Sequence, residues 1–178
     1  VFIAISTSLF SCKQDTIKSS WPKSFGGDNY DAGRGIVVDK DSNVFFIGRF
    51  QGDCMLENNK IFGKGDDEIL IVKYDKLGKL IWYNHAGGKK EDAGYSLCLD
   101  QNGNVFITGN FQDTVLFDNT KLICMGDDDA FVAKYDQSGR LIWANQVGSL
   151  KSYGRCIIAD GDGNCVVTGY FTGTIKLE

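Results

Sequence analysis

Acidic side chains in glycine-rich stretches are the chemically most conspicuous groups of this 178-residue chain. Gly65-Asp66-Asp67-Glu68 is followed later by the closely similar Gly126-Asp127-Asp128-Asp129, and the sequence Asp-Ala-Gly occurs twice. Carboxylates displayed on loops can bind cations, basic partners or glycans. The alternative is that these residues form turns and keep the surface soluble. The candidate ligand-binding residues are Asp31, Asp66, Asp67, Asp92, Asp127 and Asp128.

A second acidic pattern matches the first half of a calcium-binding loop. It occurs at Asp39–Asn43, Asp100–Asn104 and Asp160–Asn164. Calcium takes about six to eight oxygen ligands, normally including a later carboxylate. Phenylalanine occupies that later position each time, so plain turns are expected and no metal site is predicted. If Ca²⁺ does bind, the best-fitting residues are Asp160, Asp162 and Asn164.

Composition excludes several function classes. A net charge of −4 and a pI near 5.0 argue against a nucleic-acid partner, which requires a dense positive field. The single histidine, His85, leaves too few ligands and bases for most metal-hydrolase and histidine-based mechanisms. Aligned repeats give Ser24 and Asn145 as its counterparts, so no base recurs with it. We therefore expect a protein that is not an enzyme.

The N-terminal residues suggest the location of the protein in the cell. Residues 1–11 are apolar or small, the size of a signal-peptide core, and Leu9-Phe10-Ser11-Cys12 resembles a bacterial lipobox. The resemblance implies a partial signal peptide, acylation at Cys12, and a tether over residues 12–20. The alternative is an apolar strand with a buried cysteine. The expected location is the bacterial envelope, at the outer membrane or cell surface, with the membrane as a partner through the lipid.

The remainder is a repeat with a period of about 61 residues. Its units are residues 21–81, 82–142 and an incomplete 143–178, each beginning at a tryptophan: Trp21, Trp82 or Trp143. A repeated aromatic of this kind can stack on sugars, but packing between units is the favoured interpretation. Five further cysteines do not recur between units and form no Cys-x-x-Cys pair, so buried thiols are expected, with a disulfide left open: Cys54, Cys98, Cys124, Cys156 and Cys165.

Each unit predicts four antiparallel strands joined by Asp-led turns. In the first complete unit they are Gly35–Val38, Val44–Ile47, Ile69–Tyr74 and Leu80–Tyr83. The second and third strands are apolar at consecutive positions, which requires cover on both faces. Sheets stacked around an axis provide that cover. The predicted fold is therefore all-β, a β-propeller segment of about two and a half four-stranded blades and a fragment of a larger ring, with closure by self-association as the alternative.

One motif resembles a known family. Asp-x-x-Gly-Asn-Val-Phe-x-x-Gly-x-Phe followed by Phe-Val-Ala-Lys-Tyr-Asp-x-x-Gly-x-Leu-x-Trp, within residues 100–143, is similar to the SBBP-type seven-bladed β-propeller repeat of bacterial surface proteins. That family shares no activity or catalytic set, so the resemblance implies a fold alone. We expect a non-enzymatic binding or scaffold module that recognises a protein or glycan through loops on one face. The alternatives are a propeller enzyme acting on glycans or esters, and a calcium-stabilised adhesion module.

Overall fold

The structure, a computed structural model, describes residues 2–3 and 21–177. Within those residues the regular structure is entirely β, and no helix there is long and apolar enough to cross a membrane. The strands are β1 (Phe2–Ile3), β2 (Lys23–Gly26), β3 (Ala32–Val38), β4 (Val44–Gln51), β5 (Cys54–Leu56), β6 (Asn59–Ile61), β7 (Asp67–Tyr74), β8 (Leu80–Ala86), β9 (Asp92–Leu99), β10 (Val105–Phe111), β11 (Thr114–Phe117), β12 (Thr120–Ile123), β13 (Asp129–Tyr135), β14 (Leu141–Gly148), β15 (Lys151–Ala159), β16 (Cys165–Thr172) and β17 (Lys176–Leu177).

The strands form the predicted antiparallel meanders. Blade 1 is the sheet β3-β4-β7-β8, and blade 2 contains β9-β10-β13-β14 in the same order. Blade 3 contributes β15 and β16 within the described residues. The four expected strands are confirmed in blades 1 and 2, although the observed ones are longer. The excursion between second and third strands contains a small extra hairpin, β5–β6 in blade 1 and β11–β12 in blade 2.

Consecutive apolar residues of the central strands pack on opposite faces of blade 1. Phe45, Ile47, Ile69 and Ile71 join a core cluster with residues of blade 2. Their neighbours Phe46, Leu70 and Val72 join a second cluster with Phe25 of β2. Every one of these side chains is at most 4% exposed. Face-to-face packing of sheets thus explains why the strands do not alternate between apolar and polar residues.

The first strands of the blades lie side by side and form a hub. Strand β9 packs against both β3 and β15. Glycine permits this approach, since a Cβ at Gly94 would lie 2.5 Å from Ile47 Cδ1, and one at Gly154 would lie 1.9 Å from Thr108 Oγ1. A register shift follows the same glycine in each first strand, between Gly33 and Gly35 in β3 and between Gly154 and Cys156 in β15. The hub is therefore built from three equivalent glycine-and-bulge segments.

A backbone bridge connects each hairpin excursion to the preceding fourth strand. The paired residues are Gly26 with Met55, Gly87 with Leu116, and Gly148 with Lys176. In the first two bridges a second glycine follows, and a Cβ there would lie about 2 Å from a hairpin carbonyl: 2.1 Å for Gly27 and 1.8 Å for Gly88. The Gly-Gly pair of the repeat thus lets the hairpin of one blade approach the chain of the previous blade.

Candidate ligand-binding face

The two ends of the blades carry different connections. One end, which we call the loop face, carries the hairpin excursions and the blade-to-blade connections of residues 27–31, 87–91 and 149–150. The other end, the turn face, carries the tight turns between first and second and between third and fourth strands. All six candidate ligand-binding aspartates occupy loop-face segments or the first residue of the strand that follows, and Asp31 is the last residue of the connection 27–31.

Asp67 and Asp128 are buried and engaged with other side chains. Asp67, 4% exposed, accepts a hydrogen bond from Arg49 at 2.5 Å. Burial raises the pKa of Asp67, and the Arg49 charge opposes that shift. In blade 2, asparagine occupies the position of Arg49, and Asn110 Nδ2 donates to Asp128 Oδ1 at 2.9 Å. Lys151 of the next blade adds an ion pair of 3.3 Å. These two carboxylates stabilise the blades rather than face solvent.

Asp31 and Asp92 hold the blade-to-blade connections. Asp92 is fully buried and accepts hydrogen bonds from the amides of Gly88 at 2.6 Å and Gln112 at 3.3 Å. Burial raises the pKa of Asp92 to about 8 even though those amides favour the charged form. Asp31 accepts the amide of Gly27 at 2.9 Å in the same way. Both carboxylates therefore act as backbone caps.

Blade 3 replaces this capping aspartate with Ser152. Its hydroxyl accepts the amide of Ala130 at 2.9 Å and donates to the carbonyl of Val147 at 2.6 Å. A hydroxyl can play both roles, whereas a carboxylate only accepts. Backbone groups therefore engage the residue at this position in all three blades, although Ser152 binds those of the preceding blade, and this favours a structural role for the aspartates.

Asp66 and Asp127 are the two exposed members of the candidate set. The lysines Lys64, Lys89 and Lys90 are also exposed on the loop face. The face therefore displays charges of both signs, in contrast to the acidic surface that the aspartates alone suggest. A ligand-binding role for Asp66 and Asp127 stays a prediction.

His85 lies within strand β8, where it pairs with Leu70, rather than in a connection. Its Nδ1 is 2.8 Å from Oε2 of the buried Glu68. Strand pairing gives Gln146 as its counterpart in blade 2, so the sequence-based assignment of Asn145 was wrong by one position. Gln146 donates to Asp129 at 3.3 Å. Because glutamine performs the same contact without acid–base chemistry, the geometry favours a structural role for His85.

In the calcium-like stretches, the first carboxylate already accepts hydrogen bonds from its own turn. Asp160 Oδ1 accepts the amides of Asp162 and Asn164 at 2.9 and 2.8 Å, and Oδ2 accepts the Asn164 side chain at 2.9 Å. Asp39 and Asp100 make the same contacts. Among the described residues, no group of three or more His, Cys, Asp or Glu side chains is arranged to hold a metal ion.

The repeated tryptophans connect adjacent blades. Trp82 Nε1 donates to the carbonyl of Gln137, in the turn between third and fourth strands of blade 2, at 3.0 Å. Trp21 makes the equivalent bond to Lys76 at 3.4 Å. Trp82 and Trp143 also pack edge-on against Phe45 and Phe106, respectively. Trp21 and Trp82 thus pack between units as predicted.

The five cysteines of the described part are free thiols. Cys54 is buried, as expected, but Cys156 is exposed, so the prediction of buried thiols was wrong there. Cys156 shares a face of β15 with Ile158, which is also exposed, whereas Ile157 on the opposite face is buried. Cys12, the predicted acylation site, lies outside the described residues.

A cleft of about 770 Å³ opens where the hub meets the turn face. Val37, Cys98 and Ile158 line its wall. Two of its polar groups are engaged, since Asp100 pairs with Lys134 at 3.1 Å and Lys73 donates to Gln137 at 3.3 Å. The exposed Lys40, Asp41 and Gln101 also line the cleft.

Sequence reasoning overlooked a cationic and aromatic cluster at the loop-face end of the hub. Arg34, Tyr95 and Arg155 follow the hub glycine in three successive blades. Because the three residues are not identical, the repeat comparison passed over them. Their shared position after the recurring glycine was the available signal.

Comparison with known proteins agrees with the repeat architecture. No family model matches the chain. It is 24% identical over 191 aligned residues, 86% of the chain, to an uncharacterised WD repeat-containing protein of Acanthamoeba polyphaga mimivirus. It is 26% identical over 110 residues, 60% of the chain, to the regulatory protein FlaEY of Caulobacter vibrioides. The chain spans 13% and 12% of the lengths of these relatives. The first similarity supports a propeller-like repeat protein, while the SBBP resemblance stays a prediction.

The structural role of Asp67 can be tested through its partner. Replacing Arg49→Ala leaves a buried carboxylate without compensation, so we expect the free energy of unfolding to fall by about 3 kcal/mol. Arg49→Asn reproduces the Asn110–Asp128 arrangement of blade 2 and should cost distinctly less. Denaturant unfolding of both variants measures the difference. Equal losses, or none, would contradict a compensating role for Arg49.

Proposed function

We propose that this chain is a binding or scaffold segment of a β-propeller protein, without catalytic activity of its own, that presents a ligand-binding surface on its loop face. The observation that carries the proposal is how the polar residues at that face are buried and hydrogen-bonded. Buried carboxylates fix the connections through backbone amides and partner side chains, as Asp92 and Asp67 do. The exposed loop residues thereby project from a rigid base, the usual basis of recognition by loops.

The alternatives receive less support. The His85–Glu68 contact repeats as Gln146–Asp129, which lacks a titratable base. The aspartates of the calcium-like stretches already accept hydrogen bonds from their own turns. Similarity to a WD repeat-containing protein is compatible with a binding role. We therefore favour binding over glycan or ester hydrolysis and over calcium-dependent adhesion.

The proposal includes a lipid anchor in the bacterial envelope. Its support is the sequence Leu9-Phe10-Ser11-Cys12 after an apolar segment. Several acyl chains on one cysteine hold a protein stably at a membrane, because each buried CH₂ contributes about 0.8 kcal/mol. A propeller attached in this way would display its loops to molecules outside the membrane.

Charge-reversal variants distinguish ligand binding at the loop face from ligand binding at the turn face. The variant Asp66→Arg/Asp127→Arg alters the loop face, and the control Asp41→Arg/Asp162→Arg makes the same change at exposed positions of the turn face. On an array of neutral, acidic and basic glycans, we expect the affinity of the bound glycan to change roughly tenfold in the first variant, because each reversed charge near a ligand contributes on the order of 1 kcal/mol. The control should bind like the wild type.

Two outcomes of that experiment would contradict the proposal. One is a change confined to the turn-face variant, which would move the binding surface to the other end of the blades. The other is chemical turnover of the bound glycan that disappears in His85→Ala, which would establish an enzyme.

The anchor has an independent test. The chain is expressed in a bacterium behind an added methionine and basic segment, in the presence of an alkyne-bearing fatty acid. We expect label on the wild type and membrane fractionation, both lost in Cys12→Ser. Label that persists in Cys12→Ser, or a wild type that never acquires it, would overturn the anchor.

A further inference from the structure

Three side chains from successive blades converge where the hub reaches the loop face. Arg34 lies over the Tyr95 ring with Cζ 5.6 Å from the centroid, and Arg155 lies over the same ring at 4.4 Å. The Cζ atoms of the two guanidinium groups are therefore at most about 10 Å apart. Each residue occupies the bulge position after the hub glycine, where the strand departs from the regular pleat. The backbone of all three blades thus directs these groups to one place.

These arginines differ from the other two in the chain. Arg49 pairs with Asp67 and Arg140 pairs with Asp136, at 2.5 and 3.1 Å. Within the described part of the chain, neither Arg34 nor Arg155 has a carboxylate oxygen within 4.0 Å. Both are exposed, in a protein whose net charge is −4. Two uncompensated cations therefore lie together on an otherwise acidic molecule.

Contacts with aromatic rings position the two guanidinium groups. A guanidinium over a ring uses its flat face, while its five N–H groups point outward in the plane. Arg155 also lies over Tyr153 and Tyr170, at 5.0 and 5.2 Å, and these two rings stack on each other at 4.7 Å. The Arg155 side chain donates to the Tyr170 hydroxyl at 3.4 Å. The aromatic rings thus reduce the freedom of Arg155 before any ligand arrives.

Asp67 and Asp128 interact with members of the cluster, and both have other partners. Asp67 interacts electrostatically with Arg34 but accepts its hydrogen bond from Arg49. Asp128 is engaged by Asn110, Gln112 and Lys151. Lys151 lies 5.5 Å from the centre of the Tyr153 ring and adds positive charge beside the cluster. The balance of available groups favours an anion.

We propose that Arg34, Tyr95 and Arg155 form an oxyanion-binding site at the loop-face end of the hub, for the carboxylate of an acidic glycan or for a free inorganic oxyanion of the same geometry. The site rests on the proposed binding function and specifies its ligand chemistry. Guanidinium groups bind carboxylates, sulfates and phosphates through paired N–H donors. Tyr95 adds a hydroxyl group, and the neighbouring tyrosine rings add apolar surface suited to a sugar.

The site predicts a definite charge dependence in titration calorimetry. Wild-type chain should bind trigalacturonate and not the neutral maltotriose. Arg34→Gln and Arg155→Gln should each weaken binding at least tenfold, because each removes charge-assisted hydrogen bonds. The matched control Arg140→Gln, an exposed arginine on the turn face, should bind like the wild type. Sodium sulfate and phosphate are titrated in parallel, and binding of either anion without binding of trigalacturonate would identify an inorganic oxyanion as the ligand source.

Melting curves show whether each variant is folded. If Arg155→Gln fails to fold, Arg155→Lys keeps the charge and removes the paired donors, and it should still bind several-fold more weakly than the wild type. The site is overturned if none of the three anions binds, if maltotriose binds equally well, or if Arg140→Gln loses as much affinity as Arg34→Gln. Glycan binding that responds to Asp66→Arg/Asp127→Arg but not to Arg34→Gln would overturn this site and leave the broader binding function intact.

Discussion

Strands β4 and β7 carry apolar side chains on both of their faces, so neither face can be left in water. Burying one such side chain contributes about 1.5–3 kcal/mol, and the two strands together bury ten hydrophobic side chains. A single sheet cannot provide this cover, whereas sheets stacked around a hub cover both faces of each strand. The other features follow from this packing: glycines where first strands approach each other, tryptophans between blades, and hairpins that bridge to the preceding fourth strand.

Close stacking also determines which polar side chains are buried and which stay exposed. When two blades approach, the carboxylates at the loop-face ends of their strands lose contact with water, which is costly unless each is compensated. Asp92 meets backbone amides and Asp67 meets a guanidinium. Most of the conspicuous aspartates are thereby used in holding the scaffold. At the hub the situation is reversed, because Arg34 and Arg155 remain exposed and without a carboxylate within ion-pair distance in the described part of the chain.

Much of the fold was predictable from the sequence, because the repeat shows the same pattern more than once. The strand order and the Asp-led turns were both predicted and confirmed. Burial of individual aspartates was not predictable, since Asp66 and Asp67 are adjacent and chemically identical, yet only Asp67 points into the packed interface. The cluster around Tyr95 was missed because a comparison of repeats identifies only positions at which the residues are the same. A site assembled from one different residue per blade becomes visible only when the blades are stacked.

Native-state hydrogen exchange tests the stacking of the blades most directly. Two faces of cover should make the amides of β4, β7, β10 and β13 the slowest to exchange, with similar free energies of opening in blades 1 and 2, because the cluster containing Ile47 and Ile107 belongs to both. The turns at Asp39 and Asp100 should exchange much faster. Exchange of Val44–Ile47 at the rate of those turns would contradict face-to-face packing, as would protection of one blade while the other opens independently.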